Sequence, residues 1–171
     1  MNEIHICYFR TKIGELMLGS YDKKLCLLDF RYRKMRKTID NRIKNGLNAN
    51  FIINENKLLE KTKCQINEYL NGDRKQFDLP LVLVGTDFQK NVWNSLLKIR
   101  YGKTTTYLQI AKNIKNEKAV RAVASANGAN AMSLIVPCHR VIGSNGELVG
   151  YGGGLPAKKR LLKLERENNT G

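Results

Sequence analysis

The β-branched apolar run Leu134-Ile135-Val136 ends on Pro137-Cys138-His139-Arg140, and apolar residues resume at Val141-Ile142 before Gly143. Short apolar runs bounded by turn residues are buried, and this one predicts a strand. The chain must therefore build a core around a cysteine held between a proline, which fixes the backbone, and a histidine. Cysteine attacks as its thiolate, and a free thiol titrates near ~8.5 unless neighbours lower it. His139 and Arg140 are neighbours of the right kind. A buried cysteine that only packs fits the same spacing, so spacing alone leaves both readings open.

A chain of 171 residues that is 42% apolar can bury one large core or two small ones. Its net charge of +15 points to a polyanionic partner, most often nucleic acid. A lysine-rich compositional bias gives the same excess, so charge does not locate a surface. The apolar runs fall far below the ~20 residues that span a bilayer. Met1 to His5 is polar and lacks a signal-peptide hydrophobic region. Cys7, Cys26, Cys64 and Cys138 form no CxxC pair, which argues against a disulfide framework or zinc ribbon. The expectation is a cytoplasmic protein (nuclear in a eukaryotic source) in a reducing compartment, with no membrane association.

Ile4 to Phe9, Glu15 to Ser20 and Leu25 to Phe30 read as three strands of an antiparallel meander, with Cys26 as core packing. The basic stretch Arg31 to Lys44 reads as a solvated loop or frayed helix. Lys57 to Leu70 has helical spacing, ended by Asn71-Gly72. Leu79 to Val84 is extended, a crossing strand or linker, and a domain boundary falls near Gly85. The domains are then 1–85 and 86–171.

Thr86-Asp87-Phe88-Gln89 has the form of a capping box for a helix reaching about Ile99. Helices over Tyr107 to Ile114 and Glu117 to about Ala126 read as a helix-turn-helix. Arg121, Ala124, Ser125 and Gly128 share one face of this pair's second helix and its end. Small residues suit tight helix packing. They also suit a backbone that must approach a groove, and the minor groove is only ~6 Å wide. Asn127 to Asn130 is a turn, Gly143 to Gly146 a hairpin turn and Gly150 to Gly154 a loop. Pro156 starts the last helix, and Glu167 to Gly171 is a frayed tail. A histidine acting as base needs a carboxylate to orient it. Glu147, Glu165 and Glu167 are candidates that spacing does not separate.

The string Pro137-Cys138-His139-Arg140-Val141 resembles the active-site motif of the O6-alkylguanine-DNA alkyltransferases, repair proteins that take an alkyl group onto their own cysteine. The resemblance runs from about Thr86 to Glu165 and is generic before that. It implies a two-domain α+β fold: an N-terminal antiparallel sheet with helix, ribonuclease-H-like, and a C-terminal winged helix-turn-helix-like helical domain. The implied activity is a single-turnover methylated-DNA–protein-cysteine S-methyltransferase acting through the minor groove. O6-alkylguanine would be the main substrate and O4-alkylthymine a lesser one.

The resemblance also implies roles. Cys138 is the acceptor, and His139 and Glu165, the latter from Leu161-Leu162-Lys163-Leu164-Glu165, complete a network through water that leaves a thiolate. Tyr107 rotates the phosphate and protonates the leaving guanine. Asn130 supports the turn before the cysteine, with Ala131 where relatives commonly have proline. Arg121 fills the space of the flipped base, on a DNA-binding face with Ala122, Ala124, Ser125 and Gly128. Ser133, Val141, Tyr151 and Gly152 form the substrate pocket, and the small Ser133 and Gly152 predict a roomy alkyl site. Some relatives bind zinc through two cysteines and two histidines. Cys7 and Cys26 could be the first two, but no second pair is in place, so no metal and no cofactor is expected. The partner is double-stranded DNA carrying alkylated bases, and the protein a monomer.

Two other classes are weighed. A transcription factor would carry Arg, Asn or Gln at base-facing helix positions, where this chain has Ala and Gly. A cysteine hydrolase would need an oxyanion hole and would turn over.

Overall fold

The computed structural model describes residues 2–169. Strands β1 (Glu3–Thr11), β2 (Gly14–Tyr21) and β3 (Lys24–Phe30) form the expected meander. Asp22 and Lys23 both take positive φ in the two-residue β2–β3 turn, the twist that tight hairpins favour. The sheet is not purely antiparallel, however. A fourth strand, β4 (Asn50–Ile53), lies parallel to β1, giving the order β3-β2-β1-β4. The crossover to it includes α1 (Arg36–Leu47), a full helix in the stretch expected to be loop or frayed helix. Only Ile39 and Ile43 of α1 are buried, too thin a stripe to stand out among basic residues.

Both faces of this sheet are covered, which is why β2 and β3 are nearly continuous apolar runs. Ile4, Ile6, Met17, Cys26 and Leu27 pack with α1. Cys7, Leu16, Leu18, Leu25 and Leu28 face α2 (Lys57–Leu70) and the core of the second half. Cys7 and Cys26 thus lie in different core layers and do not face each other.

The free edge of β3 ties the two halves together. Leu25 N–H donates to the Pro80 carbonyl at 2.8 Å, and Val82 N–H to Leu25 at 3.0 Å. Of the extended Leu79 to Val84 stretch, only this single bridge at Leu81 forms. Further along β3, Leu28 N–H donates to Ala131 at 2.9 Å, and Ser133 N–H to Leu28 at 2.7 Å. The segment leading to Cys138 is therefore pinned to the N-terminal sheet.

In the second half, α3 (Asp87–Leu96) opens with both hydrogen bonds of the Thr86/Gln89 capping box. It closes at Leu97, short of Ile99. Then come β5 (Thr105–Thr106), α4 (Tyr107–Asn113) and α5 (Val120–Gly128). Glu117–Ala119 is a 3-10 turn, and Gly128 belongs to α5 rather than to the turn after it. β6 (Val141–Ile142) pairs with β5 in parallel. The Gly143–Gly146 turn after it is closed by Gly146 N–H to the Gly143 carbonyl at 2.9 Å and Gly143 N–H to the Glu147 carbonyl at 2.8 Å, with no second strand following among the described residues. The last helix, α6 (Leu155–Asn168), takes Pro156 in its first turn and continues through Glu167 and Asn168 of the expected tail; Thr170 and Gly171 lie outside the described residues. Among the described residues, no helix is long and apolar enough to cross a membrane.

Candidate active site

The residues before Cys138 do not form the expected strand. They make a turn in which buried Leu134 holds φ +72°, a conformation L-residues adopt at a cost of about 1–3 kcal/mol. Asn130 compensates. Its Nδ2 donates to the Val136 carbonyl and its Oδ1 accepts from Met132 N–H, both at 2.9 Å. Cys138, His139 and Arg140 then form a 3-10 turn, all three buried. Cys138 and His139 are therefore not on opposite faces of a strand.

Of the three candidate carboxylates, Glu165 alone meets the histidine; Glu147 and Glu167 are exposed. Glu165 Oε2 lies 2.7 Å from His139 Nε2. A carboxylate only accepts, so Nε2 carries the proton and Nδ1 presents its lone pair. Nδ1 is buried and bonds to no protein atom. Glu165 also takes Arg140 Nε at 2.7 Å, Arg140 NH2 at 2.9 Å and Gly102 N–H at 3.1 Å. Burial by itself would raise its pKa. The His139 and Arg140 hydrogen bonds and charges outweigh that and hold the carboxyl well below the usual carboxylate range. Burial pushes His139 below its ordinary 6.5 against the pull of Glu165, so the imidazole is neutral at pH 7.

The thiol differs from the expected thiolate. Burial pushes Cys138 up to about 11, despite a hydrogen bond with Asn130 and the nearby charges of Arg33 and Lys158. The resting sulfur is protonated, and Arg140 turns to Glu165 instead of to the sulfur.

Cys138 sits on the wall of a cavity of about 560 Å³ that also touches Tyr107, Ala124, Gly128, Asn130, Ser133, Tyr151 and Gly152. Tyr107 Oη donates to the Val149 carbonyl at 3.1 Å; burial raises its pKa, and a charge on Cys138 would raise it further. Val141, expected in the pocket, is fully buried and does not line it. Its carbonyl accepts from Lys158 Nζ at 2.7 Å, and the same ammonium reaches Val149 and Gly150. Lys158 thereby fastens the glycine loop over the site. Gly152 lines the cavity and also makes room for an arginine: a Cβ there would lie 2.5 Å from Arg33 NH1. Ser133 does line the cavity, and its hydroxyl donates to Asp29 Oδ1 at 3.1 Å.

On α5, Arg121, Ala122, Ala124 and Ser125 are exposed, while Val123, Ala126 and Asn127 face inward. A Cβ at Gly128 would meet nothing within 4 Å. Trp93 of α3 anchors the helix from behind, its Nε1 donating to the Ala126 carbonyl at 2.9 Å. The exposed face is thus smooth, apart from one guanidinium.

Two family models cover most of the chain. The 6-O-methylguanine DNA methyltransferase ribonuclease-like domain matches residues 4–83, and the DNA-binding domain of the same name matches residues 87–167. The chain belongs to the 6-O-methylguanine DNA methyltransferase family. The methylated-DNA–protein-cysteine methyltransferase of Methanosarcina acetivorans is 42% identical over 162 residues, 95% of this chain and 98% of the relative. A Mycobacterium tuberculosis OGT solved in complex with DNA aligns with a TM-score of 0.82 at 38% identity, covering 96% of this chain and 94% of that one. The O6-methylguanine DNA methyltransferase of Methanococcus jannaschii aligns at 0.63 and 26% identity, covering 94% and 93%. The two-part α+β architecture is the one that the motif resemblance implied, with a mixed sheet in place of an antiparallel one.

In this member of the methyltransferase family, Ala131 stands where the motif resemblance implies a proline. The turn is held without it, by the Asn130 clamp and by the Leu28 N–H bond to Ala131.

The His139–Glu165 pair also fixes how stability follows pH. His139 is depressed in the folded state, so its contribution is complete above about pH 6.5 and fades as pH falls through the folded value. Glu165 is depressed too, and its contribution fades below about pH 4.3. Both act in one direction. The thermal midpoint is expected to hold above about pH 6.5, to fall below it, and to fall further under about pH 4.3, and melting curves from about pH 8 to about pH 3 check it.

Sequence reasoning missed Tyr69, whose hydroxyl reaches Glu165, together with the Arg140 clamp, Lys158, and the Asp29–Arg33 pair. Arg140 stood inside the recognised string. The others carried no local signal.

Proposed function

We propose that this protein repairs double-stranded DNA by moving the alkyl group of O6-alkylguanine irreversibly onto Cys138, with O4-alkylthymine as a lesser substrate. The observation that carries this reading is a buried thiol on the wall of a cavity beside the open face of α5, followed directly in the chain by a histidine that Glu165 orients. The alkyl carbon of a stacked base cannot reach that sulfur, so the nucleotide must be extruded. Arg121 fills the gap that it leaves, since a guanidinium both stacks and hydrogen-bonds. Ala122, Ala124, Ser125 and Gly128 let the helix backbone into a minor groove ~6 Å wide.

The Cys138 proton passes to His139 Nδ1 through a bridging water, and Glu165 stabilises the imidazolium. The sulfur attacks the alkyl carbon as the carbon–O6 bond breaks and its electron pair goes to the oxygen. Tyr107 gives its phenolic proton to the departing guanine anion and is reprotonated from solvent. Stabilising such developing charge is usually the largest catalytic term. The resting thiol, at about 11, is kept unreactive until a lesion enters the cavity. Nothing in this sequence consumes a cofactor. The thioether does not hydrolyse, so each molecule acts once.

Excess duplex containing O6-methylguanine should add one methyl per chain by intact mass, and peptide mapping should place it on Cys138. Multiple turnover, or a methyl elsewhere, would overturn the reading.

A further inference from the structure

The proton path described above leaves one buried polar group beside it unused. Tyr69, in the last turn of α2, belongs to the N-terminal half and is fully buried. Its ring lies 5.3 Å from Phe77 and stands edge-on to Tyr101 at 6.2 Å. Its hydroxyl crosses into the second half and donates to Glu165 Oε2 at 2.5 Å. The same oxygen atom of Tyr69 stands 3.4 Å from His139 Nε2. Both groups point their protons at Glu165, so that second approach is a contact between two donors. Glu165 Oε2 thus takes Tyr69 Oη, His139 Nε2 and Arg140 NH2 together.

Arg140 and Gly102 already satisfy the other oxygen, so the phenol is not needed to make the carboxylate soluble in the core. What it changes is the share of the Oε2 lone pairs left for the imidazole. We propose that Tyr69 is a positioning residue of the transfer reaction: its hydroxyl competes with His139 for Glu165 and so sets the basicity of the histidine that takes the Cys138 proton. This rests on the reading that Cys138 accepts the alkyl group.

Burial, with the charge and hydrogen bond of Glu165, raises the phenol well above its ordinary value, so it remains a donor at any working pH. The other groups around the pair are Arg140 from the 3-10 turn, Tyr101 from the loop after α3, Tyr151 from the glycine loop and Lys158 from α6. None of these changes in a Tyr69→Phe variant, which keeps the ring and its packing. Removing the hydroxyl returns electron density on Oε2 to His139. A phenol that no longer donates to Oε2 leaves more of the carboxylate's charge for the imidazolium, which favours the protonated ring. His139 should then titrate at higher pH.

Two measurements read this. The chain has two histidines, so the His139 ring signals in an NMR pH titration are assignable. The single-turnover methyl-transfer rate against pH gives an acid limb. In Tyr69→Phe both should move to higher pH, whereas Phe77→Leu should loosen the same packing and move neither. An unmoved His139 titration and limb in Tyr69→Phe, with the wild type methylating normally, sinks the inference and leaves the function intact. A wild type that never takes a methyl sinks the functional reading, while the ring titration still decides the hydrogen-bond competition. If Tyr69→Phe fails to fold, the wild type decides. Its Tyr69 hydroxyl proton should be a downfield, slowly exchanging signal close in space to the His139 ring, and its absence overturns the proposal.

Discussion

Glu165→Ala is expected to lower stability by about 3–5 kcal/mol, the range found when one partner of a buried ion pair is removed. Glu165 is 1% exposed, and the loss strands four groups from three parts of the chain. Arg140, 7% exposed, keeps only the Ile99 carbonyl, at 2.6 Å. Tyr69 Oη, His139 Nε2 and Gly102 N–H all lose the acceptor they share. Denaturant titration should show a lower midpoint with little change of slope, because the surface exposed on unfolding hardly changes. Alkyl transfer should stop as well, since the imidazole loses both its orientation and the charge that stabilises its protonated form. Glu165→Gln separates the two effects. An amide retains one oxygen for Arg140 and preserves shape, so it should cost less stability than alanine, yet it supplies no charge for an imidazolium. If the glutamine variant transfers methyl at the wild-type rate, Glu165 is a structural clamp alone.

How much of this was legible in the sequence depends on the reach of each contact. The capping box at Thr86 and the shared face of Arg121, Ala124 and Ser125 follow from local spacing, and the structure has them so. Glu165 could be chosen only through the motif resemblance, because 25 residues separate it from Arg140 and nothing local distinguishes it from Glu147. Tyr69 lies 96 residues from Glu165, and inside the helical spacing of Lys57 to Leu70 nothing marks it out. The strand expected at Leu134 to Val136 failed for another reason. β-branched residues signal burial as strongly as they signal extension, and here tertiary bonds from Asn130 and Leu28 impose a turn. The basic stretch after β3 misled most. Arg33 and Arg36 read as solvated charges, but both turn inward to Asp29, and a buried aspartate in an apolar strand gave no warning of partners downstream.

That aspartate makes the second large prediction. Asp29→Ala is expected to cost about 3–5 kcal/mol on the same grounds. Asp29 is fully buried. It accepts from Arg33 NH1 at 3.2 Å, Arg36 NH1 at 3.1 Å and the Ser133 hydroxyl at 3.1 Å. Removing it leaves the buried Arg33 side chain without a carboxylate and Arg36 with Asp40 alone. The consequence should extend to the site, because Arg33 also donates to the Gly128 carbonyl at the end of α5, at 2.6 Å, and lies against Gly152. Through these two groups the N-terminal half holds one rim of the cavity. Methyl transfer should slow by more than the unfolded fraction explains when measured well below the melting transition. Asp29→Asn tests the charge separately from the acceptor. Ser133→Ala tests whether the hydroxyl acts only through Asp29. If it does, the Asp29→Asn/Ser133→Ala pair should cost clearly less than the sum of the single changes, as coupled neighbours do. Simple additivity in both stability and transfer rate would mean that the aspartate braces the arginines alone and leaves the turn before Cys138 to the backbone bonds from Leu28.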